Sequence, residues 1–294
     1  MKKIGYLGPK GTFTEMAVNA IFASKQAIPY STIPNCMDAV SAKEVDIAVV
    51  PLENAIEGSV NLTLDYIIHK HEIPIVGEVV VPIEQHLLVH PENSANWSGV
   101  EVVYSHPHAI AQCHDFLRKV LPKAELKYMN STGAAAQHVL NHPSEKAAAI
   151  ANELAASVYQ LDTAERCIHD YENNLTRFVI LSNDKEEISS PLYFEDKTTM
   201  MVTLPADYSG ALHQVLSAFA WRKLNLTKIE SRPMKTGLGN YLFVIDVDQR
   251  MDEVLIPGVI AELEALGCGV RVLGSYPCFT LKKTKDVDKK PVPK

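Results

Sequence analysis

Apolar positions recur along this chain with two periods, and their succession sets strands between helices. Residues 3–8 read as a first strand running into a glycine turn, and residues 16–23 as an apolar helix headed by Thr12 and Glu15 at capping-box spacing. Residues 46–51 form a short strand of the doubly buried kind, followed by a polar stretch and a helix over 60–70. From Pro74 to His90 the helical period disappears, and 75–81 and 83–89 read as extended, which marks a crossing into a second subdomain. Strands at 100–104, 126–129 and 147–150 alternate with helices at 109–121, 134–140 and 151–159. Residues 167–170 lead the chain back to a strand where Leu175, Val179 and Leu181 alternate with Thr176, Phe178 and Ile180.

Repeated strand–loop–helix units argue for parallel sheets with helices on both faces. Two crossings then give an α/β domain of two lobes over 1–182, lobe one at about 1–78 plus 165–182 and lobe two at about 79–164, with helix N-termini aimed into the cleft. Residues 183–196 are charged, contain Pro191, and read as a linker. Beyond them the order becomes βαββαβ over 197–280, the ferredoxin-like split unit, with Leu212, Val215, Leu216 and Phe219 on one helix face. Residues 281–294 are rich in lysine without apolar period and read as a disordered tail.

Composition narrows the function. With 294 residues, 47% hydrophobic and 21% charged, the chain is an ordinary globular one. A net charge of −7 argues against nucleic acid as its main partner. No apolar run is long enough for a membrane span, and Gly5, Gly8 and Pro9 break up any signal peptide. The five cysteines are scattered without a Cys-x-x-Cys, which predicts reduced thiols in the cytoplasm. His106 with His108, and His69 with His71, lack metal-ligand spacing, so neither a metal nor another cofactor is expected.

Candidate chemistry gathers at strand ends. The loop from Gly8 to Glu15 joins a strand to a helix N-terminus, a ready anion site, although a plain turn fits it as well. Glu53 follows the carboxyl end of a buried strand, where open α/β sheets bind ligands. Asn173, Asn174, Thr176 and Arg177 crowd polar groups against an apolar strand, which is costly unless they are hydrogen-bonded.

Together these stretches resemble one family, the prephenate dehydratases. The resemblance rests on Gly8-Pro9-Lys10-Gly11-Thr12-Phe13-Thr14, on Val50-Pro51-Leu52-Glu53-Asn54 with Glu57-Gly58-Ser59-Val60, and on Ser105-His106-Pro107 with Ala111-Gln112-Cys113. Ser131-Thr132 with Ala134-Ala135-Ala136, and Asn174-Leu175-Thr176-Arg177-Phe178, extend it. Gly210-Ala211-Leu212, Asn225-Leu226-Thr227 and Glu230-Ser231-Arg232-Pro233 resemble the family's ACT regulatory domain. The match reaches to about residue 280. Ala55 and His108 depart from it, since the family often has Ser and Gln there. No chorismate mutase segment precedes Met1, so the monofunctional form is expected.

The resemblance implies a catalytic domain like the type 2 periplasmic binding proteins, followed by an ACT domain. It implies decarboxylative dehydration of prephenate to phenylpyruvate in L-phenylalanine biosynthesis, with L-phenylalanine as allosteric effector. It also implies a cytoplasmic homodimer or homotetramer joined through the ACT domains. Thr176 becomes the catalytic hydroxyl, and Glu53 is our candidate proton source. Thr12, Asn54, Gly58, Ser105, Ser131, Thr132, Asn174, Arg177 and Phe178 are expected around the substrate. Gly210, Ala211, Leu212, Asn225, Leu226, Thr227, Glu230 and Ser231 are expected around the effector. Strand alternation raises a difficulty, because Thr176 and Arg177 cannot share a face. Either the strand begins after Arg177, or Arg177 pairs with an acid behind the sheet. Two lobes around a cleft also suit a non-catalytic binding protein or an amino-acid sensor.

Overall fold

The computed structural model describes residues 2–22, 26–184, 187–206, 208–235 and 241–281. They fall into two compact units. The first holds Met1–Thr63, Val80–Phe178 and Leu281, and the second Leu64–Val79 and Val179–Thr280.

The first unit opens with β1 (Lys3–Leu7), α1 (Phe13–Ile21), β2 (Gln26–Tyr30), α2 (Ile33–Ser41) and β3 (Ile47–Asn54). β1 lies between β2 and β3, parallel to both. Ile4, Tyr6, Ile47, Val49 and Val50 are wholly buried, as parallel strands covered on both faces require. No sequence pattern foretold β2 or α2. Pro29 interrupts an edge strand whose residues are half-exposed, and Pro34 sits in the first turn of α2, where its missing N–H does no harm. β3 runs past its predicted end at Pro51, so Glu53 and Asn54 are strand residues rather than loop residues. Asn54 Oδ1 accepts from the Ile56 and Glu57 N–H groups, both at 3.0 Å, and turns the chain into β4 (Gly58–Ser59).

α3 (Asn61–His69) and β5 (Ile75–Pro82) follow. The rest of the first unit is a second sheet of β6 (His86–Val89), β7 (Val102–Ser105), β8 (Glu125–Tyr128), β9 (Ala147–Ala151) and β10 (Asp162–Glu165), ordered β10–β6–β9–β7–β8. β7 is parallel to β8 and β9, whereas β6 is antiparallel to β9 and β10, so this sheet is mixed. Leu87, Val103 and Ile150 bury one face with α4 (Pro107–Ala111) and α5 (His114–Val120). Leu88, Ala147 and Ala149 bury the other with α6 (Thr132–Asn141) and α7 (Glu153–Val158). The single helix expected over 109–121 is thus broken at Gln112 and Cys113.

β11 (Leu175–Leu181) begins in the first unit and ends in the second. The second unit continues with β12 (Tyr193–Thr203), α8 (Ala211–Ala220), β13 (Leu226–Pro233), β14 (Tyr241–Val247), α9 (Leu255–Ala265) and β15 (Gly269–Thr280). Its strands run β13–β14–β12–β15, every neighbour antiparallel. Met200, Phe219, Ile245, Val259 and Leu263 form its core. Inside it, Lys197 Nζ lies 3.0 Å from Glu78 Oε1, with both side chains buried. The expected segments 1–182 and 197–280 are not these units, since 64–79 and 179–182 group with the later strands. The expected linker already contains the start of β12, where Tyr193 pairs with Phe279. Of the expected tail, all but Leu281 lies outside the described residues.

Candidate active site

Strand ends and helix starts of the first unit enclose a cavity of about 460 Å³. Thr12, Phe13 and Thr14 open the nine-residue α1 there, and Ser131 and Thr132 open the ten-residue α6. Ser59 and Val60 lead into α3 at the same wall. Thr12 Oγ1 accepts from the Glu15 N–H, and Ser131 Oγ accepts from the Ala134 N–H at 3.0 Å, so each of these two helices is capped by its own hydroxyl. No lysine or arginine stands among the described lining residues. An anion in this cavity is therefore met by N–H groups and helix dipoles rather than by a cation.

The glycine-rich loop has a packing role as well. An added Cβ at Gly133 would lie 2.5 Å from the Lys10 carbonyl oxygen, and one at Gly11, where φ is +74°, would lie 2.9 Å from the Tyr159 ring. Tyr159 Oη donates to the Lys10 carbonyl at 2.9 Å. The loop after β1 can therefore seat on α6 and α7 only because side chains are missing at both positions.

The cavity floor is a chain of neutral polar groups. Asn54 Nδ2 donates to Thr176 Oγ1 at 2.8 Å and to Asn174 Oδ1 at 2.9 Å. Asn174 Nδ2 in turn donates to Gln112 Oε1 at 3.0 Å. Thr176, Asn174 and Gln112 are all buried, so these bonds offset a substantial desolvation cost. Backbone pairing holds the chain in place, with Ala55 N–H donating to the Leu175 carbonyl and Ile83 N–H to the Asn174 carbonyl. Because Asn54 donates to the Thr176 oxygen, the threonine's own O–H is left to donate into the cavity.

Strand alternation decides the case of Arg177. β11 is regular from Leu175, and Thr176 and Phe178 line the cavity. Arg177 faces the other way, and its Nη1 donates to Glu53 Oε2 at 2.6 Å. The second of the two arrangements drawn from the sequence is the one observed.

Of the residues expected at the site, Thr12, Asn54, Gly58, Ser131, Thr132, Thr176 and Phe178 line the cavity. Glu53, Ser105, Asn174 and Arg177 do not. Ser105 is wholly buried, and its Oγ donates to the Ile150 carbonyl at 2.6 Å, tying β7 to β9. Asn174 stands one bond behind the lining, as the partner of Asn54. Sequence reasoning missed Gln112, Gln85, Asn130, Glu57, His106 and His108, all of them lining residues. His108 Nδ1 lies 3.7 Å from Glu57 Oε2. Burial holds the His106 imidazole below its ordinary pKa, reinforced by His108 and opposed by Glu57. Gln112 was legible only as part of a motif, because its partner Asn174 is 62 residues away along the chain.

The expected effector residues sit on different elements of the second unit. Gly210 caps α8 in left-handed conformation at φ 92°, followed by buried Ala211 and half-buried Leu212. Leu226, Thr227, Glu230 and Ser231 lie on β13, with exposed Asn225 just before it. Lys228 Nζ lies 3.1 Å from Glu230 Oε2.

The family profile described as prephenate dehydratase matches residues 4–186. The chain is 57% identical over 284 residues to the prephenate dehydratase of Bacillus subtilis (strain 168), covering 95% of this chain and 100% of that one. A prephenate dehydratase from Arthrobacter aurescens, solved in complex with L-Phe, superposes with a TM-score of 0.82 at 35% identity, covering 93% of this chain and 89% of that chain. The enzyme of the same name from Staphylococcus aureus subsp. aureus Mu50 superposes with a TM-score of 0.79 at 30% identity, covering 93% and 99%.

Proposed function

Since the chain belongs to the prephenate dehydratase family, we propose that its first-unit cavity converts prephenate to phenylpyruvate, water and carbon dioxide, as a step of L-phenylalanine biosynthesis. The observation that carries this reading is the hydrogen bond from Asn54 to the oxygen of Thr176, a side chain of the cavity lining.

In the reaction, the bond between the ring and its carboxylate breaks and carbon dioxide leaves. That electron pair moves through the ring diene and expels hydroxide from the opposite carbon, which makes the ring aromatic. The Thr176 O–H donates a hydrogen bond to the departing oxygen, where negative charge develops. A threonine hydroxyl is too weak an acid to give up its proton unaided, so the departing hydroxide takes up one proton from the buffered solvent to become the product water, and each turnover consumes one proton overall. The role expected of Glu53 is withdrawn from our proposal. Its carboxylate is engaged by Arg177 on the other face of β11, and the acidic and basic side chains of the lining are Glu57, His106 and His108. The N-termini of α1, α3 and α6 receive the substrate carboxylates, with Thr12, Ser59, Ser131 and Thr132 beside them. Phe178 offers an apolar surface to the ring as it flattens.

We read 197–280 as an ACT domain of the ferredoxin-like kind that senses L-phenylalanine. The βαββαβ order with an antiparallel β13–β14–β12–β15 sheet supports the fold, and the L-Phe complex of the Arthrobacter relative supports the effector. Gly210, Ala211, Leu212, Asn225, Leu226, Thr227, Glu230 and Ser231 are the proposed contacts, at an interface between copies in a homodimer or homotetramer. β13 ends the order of that sheet and exposes Ile229, which suits pairing with a second chain. Among the described residues no helix is long and apolar enough to cross a membrane. The proposed cytoplasmic location rests on the scattered cysteines, which form no disulfide among the described residues.

The test is direct. The folded protein is mixed with prephenate, and phenylpyruvate is read by its absorbance in alkali. Absence of product would overturn the enzymatic reading, and turnover unchanged by millimolar L-phenylalanine would overturn the regulatory one.

A further inference from the structure

The end of α6 opposite the cavity gathers three side chains with lone pairs to share. His138 and His142 are one helical turn apart, and Glu145 comes back beside them over a turn closed by its own N–H to the His142 carbonyl at 3.1 Å. One ligand atom from each lies within 4.8 Å of the others. His138 Nε2 is already 3.3 Å from Glu145 Oε2, and the two imidazoles stack with centroids 4.0 Å apart.

Each ligand is held by a neighbour. Tyr104 Oη donates to Glu145 Oε1 at 2.7 Å, which leaves Oε2 turned to His138. The Tyr104 ring also packs against the His138 ring at 4.3 Å. His142 Nδ1 lies 2.8 Å from the His138 carbonyl oxygen, so that nitrogen carries the proton and Nε2 keeps its lone pair. Metal-bound histidines and carboxylates are characteristically oriented by such contacts. An ion pair at a helix C-terminus would account for His138 and Glu145 alone. The cap that His142 places on the His138 carbonyl serves the helix end as well, but neither role requires ligand atoms of all three side chains to gather within 4.8 Å of one another.

We propose that His138, His142 and Glu145 form a binding site for a divalent transition metal ion of the Zn²⁺ class, completed by water. Two imidazoles and a carboxylate suit zinc and its neighbours and disfavour magnesium and calcium, which prefer all-oxygen shells. Bonds of about 2.0–2.2 Å place tetrahedral ligands roughly 3.3–3.5 Å apart. The His138–Glu145 gap is already of that size, and the exposed His142 closes the remainder by a small side-chain turn. The ion would join the last turn of α6 to the segment before β9 and, through Tyr104, to β7. It would act as a clamp remote from the reacting groups.

The full chain, freed of metal with a chelator, is titrated with ZnCl₂ by calorimetry and melted with and without the salt. One Zn²⁺ per chain is expected, with a higher Tm, and MgCl₂ should do neither. His142→Ala and Glu145→Gln should each weaken the binding at least about tenfold while leaving prephenate turnover unchanged without metal. His142 is exposed, and glutamine keeps an acceptor for Tyr104, so both variants are expected to fold. Co²⁺ should give the visible absorption of a nitrogen- and oxygen-ligated ion in the wild type, and lose it in His142→Ala. No saturable Zn²⁺ binding, or binding of equal strength in both variants, overturns the proposal.

Discussion

Replacing Thr176 by valine tests the catalytic reading most directly, because the change keeps the shape and deletes only the hydroxyl. Thr176 is 8% exposed and its oxygen takes a 2.8 Å hydrogen bond from Asn54. Asn54 Nδ2 still has Asn174 Oδ1 at 2.9 Å after the change, so the fold should lose only about 1 kcal/mol. The loss in rate should be far larger. One oriented donor to a developing oxyanion contributes roughly 10²–10³-fold, and donors with proton-transfer character reach about 10⁴-fold. We expect kcat to fall about 10³-fold, or about 4 kcal/mol of transition-state stabilisation, with KM within about threefold. Asn54→Ala removes the orienting donor but leaves the hydroxyl, and should cost about 10²-fold. If Asn54 works through Thr176, the double variant should be about as slow as Thr176→Val alone rather than slower by the product. Stopped-flow or steady-state assays on prephenate decide it. A Thr176→Val enzyme within about threefold of wild type would refute the mechanism, and additive losses would refute the coupling.

Three further outcomes are expected. Arg177→Ala should lower stability by about 2 kcal/mol, because Glu53 loses a partly buried partner, while KM for prephenate changes less than about threefold; a sharp rise in KM would place Arg177 at the substrate. Lys197→Met should cost about 3–5 kcal/mol in urea melts by removing the lysine from the buried Glu78 carboxylate, and adding Glu78→Gln should recover much of it. Asp65 is pushed up by burial, but hydrogen bonds from Arg232 and Lys235 outweigh this and hold it below its ordinary 3.8. Its contribution to stability is then full above that value and lost as pH falls through the lower folded-state value, so the gap between wild type and Asp65→Asn should narrow in acid; a gap constant from neutral pH to pH 3 would contradict the pairing.

Periodic features were the legible ones. Alternation along β11 was enough to state that Thr176 and Arg177 could not share a face, although it did not name Glu53 as the acid that Arg177 meets. The capping hydroxyl at Thr12 could likewise be read from Glu15 three residues on. What the sequence hid depends on partners remote along the chain. Nothing near Glu53 announces Arg177, and nothing near Asn174 announces Gln112. β2 escaped notice because an edge strand with a proline carries little apolar signal. The expected boundary near residue 182 was drawn from composition, whereas the compact units follow strand pairing, which lets β5 and β11 belong to both.

The network of Thr176, Asn54 and Gln112 in the lining with Asn174 behind it contains no group that gains or loses a proton in the working range of an enzyme. Its donors and acceptors keep one direction whatever the acidity outside. Bending of the turnover rate with pH therefore originates outside that network, at the lining His106, whose imidazole burial holds below its ordinary pKa, or in the substrate. Such an enzyme separates the machinery that breaks bonds from the groups that sense protons, and the two can change independently.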